Sequence, residues 1–135
     1  MAKKFKVVAE EKGNFGIFWN KAKQFYDMMH HAQKTQKWAA VGLNAVHCVI
    51  SASDALLVRY FGQRSVGDDH LQVAGILSRL PMERVGEQVL NFKRIIAKKN
   101  AIAYENRELR QSEALEIAKQ TERFYQWALS QLRVG

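Results

Sequence analysis

Residues 38–61 read WAAVGLNAVHCVISASDALLVRYF, a proline-free run that is apolar on nearly every face. At about 1.5 Å per residue it makes a helix of roughly 35 Å, and Gly62 directly after it suits a helix C-terminus. Asn44, His47, Asp54 and Arg59 interrupt the run, and each would be costly in lipid. It is therefore expected to be the buried central helix of a soluble protein, not a membrane span. A helix apolar all round needs neighbours on every side, and the rest of the chain must supply them.

Upstream, Phe18, Ala22, Phe25, Met29 and Ala32 recur at spacings of four and three, which predicts an amphipathic helix from Phe15 to about Thr35 with Asn14 as its cap. Downstream, GQRSVGDDH (62–70) reads as a loop, with Asp68 or Asp69 capping a short helix through Leu71, Ile76 and Leu80. Pro81 marks a boundary or the first turn of the next helix. Val85, Val89, Phe92, Ile95, Ile96 and Ile102 carry that helix on, as far as Arg107. Ser112 looks like the cap of a last helix, with Glu113 and Glu116 in its first turn and Ala114, Ile117, Thr121, Phe124, Ala128 and Leu132 on its inner stripe. No repeat or linker divides the chain. The expectation is an all-α protein, an antiparallel four-helix bundle with an additional short helix, spanning 14–135 behind a basic arm at 1–13.

The 135 residues are 47 % apolar and 25 % charged, enough for an ordinary core without disulfides. The single Cys48 forms no intrachain disulfide, and MAKKFKVVAEEKGN lacks the apolar core of a signal peptide, so a cytoplasmic protein is expected. No Cys/His cluster has metal-ligand spacing. The adjacent His30 and His31 lack nearby cysteines or paired acids and read as rim residues, so neither metal nor cofactor is expected. A net charge of +8 and a pI near 9.8 point to an anionic partner. Lys93, Arg94, Lys98 and Lys99 form a cationic run, and Lys3, Lys4, Lys6 and Lys12 a diffuse basic arm.

Two places break the apolar pattern. In the central helix, Asn44, His47, Ser51 and Asp54 are spaced three, four and three apart and form one polar seam. Such a seam faces a ligand or a second chain, or it consists of structural polars satisfied by their neighbours. The other place is IIAKKNAIAYEN (95–106), where Lys99 follows Phe92 and Ile96 on the core stripe. If the helix persists, Asn100, Tyr104 and Arg107 lie beside it. A cation, an amide, a phenol and a guanidinium each suit a phosphate or a base. The same pattern fits a helix end whose lysines reach into water.

The strings WAAVGLNAVHCVISASDALLVRYFGQRSVGDDH, FKRIIAKKNAIAYEN and SEALEIAKQTERFYQWALSQL, in this order, resemble the HEPN domains of prokaryotes over most of the chain. The resemblance rests on a helix with a His and, seven residues later, Asp-Ala, then on Lys-Asn leading to Tyr, and on a last helix that opens with Glu-Ala. It implies a dimerising helical bundle tied to nucleotide or RNA metabolism, often beside a minimal nucleotidyltransferase in toxin–antitoxin pairs. Active members are metal-independent RNases whose motif is Arg, a polar residue, three to five residues, then His. Their arginine and histidine act on the ribose 2′-OH and the phosphorane.

On that motif Lys99 takes the Arg position, Asn100 the polar one and Tyr104 the His. Lysine lacks the bidentate fork, and a phenol, titrating near 10 when unperturbed, is a poor base beside an imidazole at about 6.5. Arg64 and His70 also satisfy the motif's spacing, but with two aspartates between them that would repel phosphate. The resemblance thus leads to a non-catalytic or weakly active homodimer that binds nucleotide or RNA through Lys99, Asn100, Tyr104 and Arg107, with Asn44, His47 and Asp54 lining the same cleft. The alternatives are an RNase toxin, using Lys99 and Tyr104 or Arg64 and His70, and a dimeric interaction module without a ligand.

Overall fold

A computed structural model describes residues 6–67 and 69–133, so Lys3, Lys4 and Asp68 lie outside the described residues. The protein is mostly helical: α1 (Phe15–Lys34), α2 (Trp38–Phe61), α3 (His70–Leu77), α4 (Val85–Ala97), the single turn α5 (Lys99–Ala103) and α6 (Gln111–Arg133). A short 3-10 turn, Lys12–Asn14, precedes α1. Two three-residue strands, β1 (Val7–Ala9) and β2 (Gln63–Ser65), pair antiparallel with Val8 opposite Arg64. These strands fall in stretches expected to be an arm and a loop. Three residues each are too few to show an alternation of apolar and polar positions.

The central helix is as the sequence indicates. It stops at Gly62, which takes φ +65°, the left-handed turn that only glycine adopts without strain, while its N–H bonds the Val58 carbonyl. By length and composition α2 would cross a bilayer, but 72 % of its apolar window is buried inside the protein, as in the core helix of a soluble protein. α1 lies along one flank of α2 and α6 along another, with α4 against α6. Trp19 and Tyr26 of α1 both stack on Tyr125 of α6, at centroid distances of 4.8 and 3.8 Å. Phe92 and Phe124 are fully buried and join α4 to α6.

Two expected caps differ. Asn14 stands at the N-cap of α1 but makes no side-chain bond there, because the preceding 3-10 turn leaves it nearly helical (ψ 1°) where a capping side chain needs an extended backbone. Ser112 lies inside the first turn of α6. That helix is instead closed by Glu113, whose carboxylate reaches back to accept from the Arg110 N–H at 3.1 Å, the returning half of a capping box.

The helix expected to reach Arg107 ends at Ala97. At Lys98 the backbone tightens, its N–H bonding the Ile95 carbonyl three residues back, and α5 departs toward α2. Ile102 and Leu109 then settle on Gly42, where an added Cβ would lie 2.8 Å from Ile102 Cδ1 and 2.9 Å from Leu109 Cδ2. Beyond the break Ile102 lies half-buried against α2. Gly42→Val is expected to cost about 2 kcal/mol through overpacking and to speed amide exchange in α5. Urea denaturation and hydrogen exchange measure both, and unchanged values would remove Gly42 as the seat of that turn.

Candidate functional site

The departure of α5 leaves a cleft of about 600 Å³ between the first turn of α3, the end of α4 and α5. Asp69, His70 and Leu71 line it from α3 and its cap, Lys93, Ile96 and Ala97 from α4, and Lys99, Asn100 and Tyr104 from α5 and its end. Lys99 Nζ lies 3.1 Å from His70 Nε2. An ammonium has only donors, so the contact is a hydrogen bond in the tautomer that leaves Nε2 unprotonated. Asp69, in the cleft wall, is engaged as well, its Oδ1 accepting from the Gln72 N–H at 3.2 Å to cap α3. Tyr104 and Leu71 are 77 % and 66 % exposed, so the rim offers an aromatic ring and an apolar side chain to solvent.

The sequence candidates thus divide. Lys99, Asn100 and Tyr104 come together as expected, and His70 joins them. Arg64 does not line the cleft: its Nε donates to Glu10 at 3.3 Å and its guanidinium lies over Phe18. Of the two pairings read from the sequence, Lys99 and Tyr104 line one cleft, whereas Arg64 and His70 are apart and His70 meets Lys99 instead. In the sequence the two aspartates before His70 count against it. One of these, Asp69, caps the helix that presents the imidazole, so a capping residue immediately before a histidine was the legible signal.

Arg107, expected beside Asn100 and Tyr104, is turned away because the helix ends before it. Its guanidinium donates to both Glu113 oxygens at 2.8 and 3.0 Å and to Glu105 at 3.0 Å. Those bonds raise the arginine further above its ordinary value. Arg107, the Arg110 N–H and nearby Lys98 pull the Glu113 carboxyl down to about 2.

The polar seam of α2 lies elsewhere, and none of Asn44, His47 or Asp54 lines the cleft. Asn44 donates to the Ala40 carbonyl of its own helix at 2.8 Å. The exposed His47 stacks on Phe25 of α1 at 5.2 Å. Ser51 is buried. Asp54 is half-buried, and burial raises its carboxyl from 3.8 to about 6 against the opposing pull of Arg64 and Lys21. His47 and Asp54 thus lie toward α1, beside Phe25 and Lys21.

Burial pushes the Cys48 thiol up to about 12, which makes it inert as a nucleophile at neutral pH. His30 pairs with Glu122 at 3.3 Å, and His31 is exposed. Among the described residues no group of three or more His, Cys, Asp or Glu is placed to hold a metal ion.

The arrangement is a shallow cationic cleft. Lys93 and Lys99 can meet an oxyanion, an imidazole beside them can accept or donate a proton, and Tyr104 can stack on a flat ring. No family model matches the chain, and no curated protein or solved structure matches it.

Proposed function

We propose that the chain is a HEPN-like cytoplasmic protein, a homodimeric four-helix arrangement with a short extra helix, that binds a nucleotide or RNA in the His70–Lys99 cleft. A minimal nucleotidyltransferase partner belongs to the same reading. The supporting observation is the 3.1 Å contact of Lys99 with His70 in a cleft that also holds Lys93, Asn100 and an exposed Tyr104. Cations next to an exposed ring suit a ligand that carries both phosphate and base.

Fluorescence anisotropy with a short single-stranded RNA at physiological salt tests it. Lys99→Ala is expected to weaken binding about tenfold or more, the worth of one hydrogen bond to a charged group, and to keep the parent's folding. Equal binding by both proteins, or none by the parent, refutes the site.

The same contact favours a second reading, a metal-independent RNase, because it brings together an imidazole and a cation. In that reaction His70 takes the proton of the ribose 2′-OH, the 2′-oxygen bonds to phosphorus, and Lys99 holds the charged phosphorane oxygens. The bond to the 5′-oxygen then breaks, solvent protonates that oxygen, and a 2′,3′-cyclic phosphate remains. Cleavage of RNA in EDTA by the parent and not by His70→Ala would establish the enzyme, and an inactive parent would leave binding alone.

A further inference from the structure

Two residues beyond His70, Gln72 is 5 % exposed, unusual for a side chain so polar. Its amide is fully engaged. Oε1 accepts from the Lys6 N–H at 2.7 Å, and Nε2 donates to the Lys6 carbonyl at 2.9 Å and to Ser65 Oγ at 2.6 Å. One side chain thus satisfies both backbone groups of the residue that leads into β1, as a neighbouring strand would.

Besides the clamp, β1 and β2 are held at one end by the Val66 N–H on the Lys6 carbonyl at 3.1 Å, and at the other by the Glu10 N–H on the Gly62 carbonyl at 2.8 Å and the Arg64–Glu10 pair. Each is three residues long, and all of β1 is exposed. A two-stranded pair of that size is marginal by itself. The clamp works in the other direction as well. The later part of α3 is anchored in the core by Val73, Ala74, Ile76 and Leu77, whereas His70 and Leu71 in the first turn are not buried. Gln72 lies at the junction, with its N–H on the Asp69 cap and its amide on the strand.

We infer that Gln72 is a positioning residue: by clamping the N-terminal strand to the start of α3 it sets His70 against Lys99. The inference takes the His70–Lys99 cleft as the ligand site and assigns the basic N-terminal segment a share in shaping it. Asp69, Lys93, Lys99 and Tyr104 are the titratable groups that line the cleft with His70.

The test follows the imidazole resonance of His70 by NMR across a pH series, in ligand-free full-length protein. Lys99→Ala shows what loss of the contact does to the titration midpoint. Gln72→Met keeps the buried bulk and removes all three side-chain hydrogen bonds. It is expected to move the midpoint in the same direction as Lys99→Ala, and to speed amide exchange in β1.

Two results overturn the inference. One is a His70 midpoint that stays at the parent value in Gln72→Met while β1 exchanges faster. The other is a midpoint indifferent to Lys99→Ala. RNA titration of the same proteins separates this from the functional reading. A midpoint that moves in proteins that bind no RNA keeps the clamp and removes the ligand. Lys99-dependent binding with an unmoved midpoint in Gln72→Met does the reverse.

Discussion

Phe92→Ala is expected to lower the stability of the protein by about 4 kcal/mol, the usual cost of emptying a fully buried aromatic site. Phe92 is 0 % exposed, its ring centre 5.9 Å from that of Phe124, which in turn lies 5.6 Å from Trp127. Removing it takes away transfer energy and leaves a void that two helices with fixed ends close only in part. Domains of this size are stable by about 5–15 kcal/mol, so the variant folds but sits near its limit. Urea denaturation should show the midpoint falling with the slope unchanged. The cleft would feel it too, because Lys93 follows Phe92 and Ile96 stands one turn beyond, both in the cleft wall. A loss under about 1 kcal/mol would mean that α4 and α6 repack around the gap.

Asp54→Asn should stabilise the protein at pH 8, by up to about 3 kcal/mol from the linkage of its shifted carboxyl. The carboxyl holds its proton to about pH 6 in the folded chain, against an ordinary value of 3.8. Between those values the folded state binds more protons than the unfolded one, so acidification favours folding. The cost of burying the charge is fully present above pH 6 and gone below 4. Parent and Asn variant should therefore diverge in thermal midpoint at pH 7–8 and converge near pH 4. Curves that stay parallel from pH 4 to 8 would show that Arg64 and Lys21 already compensate the charge.

The helices packed lengthwise were legible because their limits are written locally. The alternating spacing from Phe18 to Ala32 and the glycine after Phe61 are near-neighbour signals. The break at Lys98 was not legible, since the surface that receives Ile102 after it is at Gly42, far back in the chain. Without that partner in view, Ile102 simply continues the helical period and carries Arg107 along as a false member of the site. The seam of α2 misled in the opposite way. Asn44, His47 and Asp54 do share a stripe, but α1 runs beside it, and α5 packs elsewhere on α2. In the sequence Lys99 and His70 stand out only within their own segments, and it is the fold that brings them within 3.1 Å of each other.

The buried Cys48 has a practical meaning for all of these measurements. It is the only thiol in the chain, it lies wholly inside, and it stays protonated and silent while the helices are closed. A thiol reagent can reach it only when the α2 core parts, so its labelling rate is a built-in clock for opening. Substitutions that weaken the core set that clock running faster, whereas those confined to the His70–Lys99 cleft leave it at the parent's pace. Damage to the fold and damage to the site are thereby told apart by one native atom.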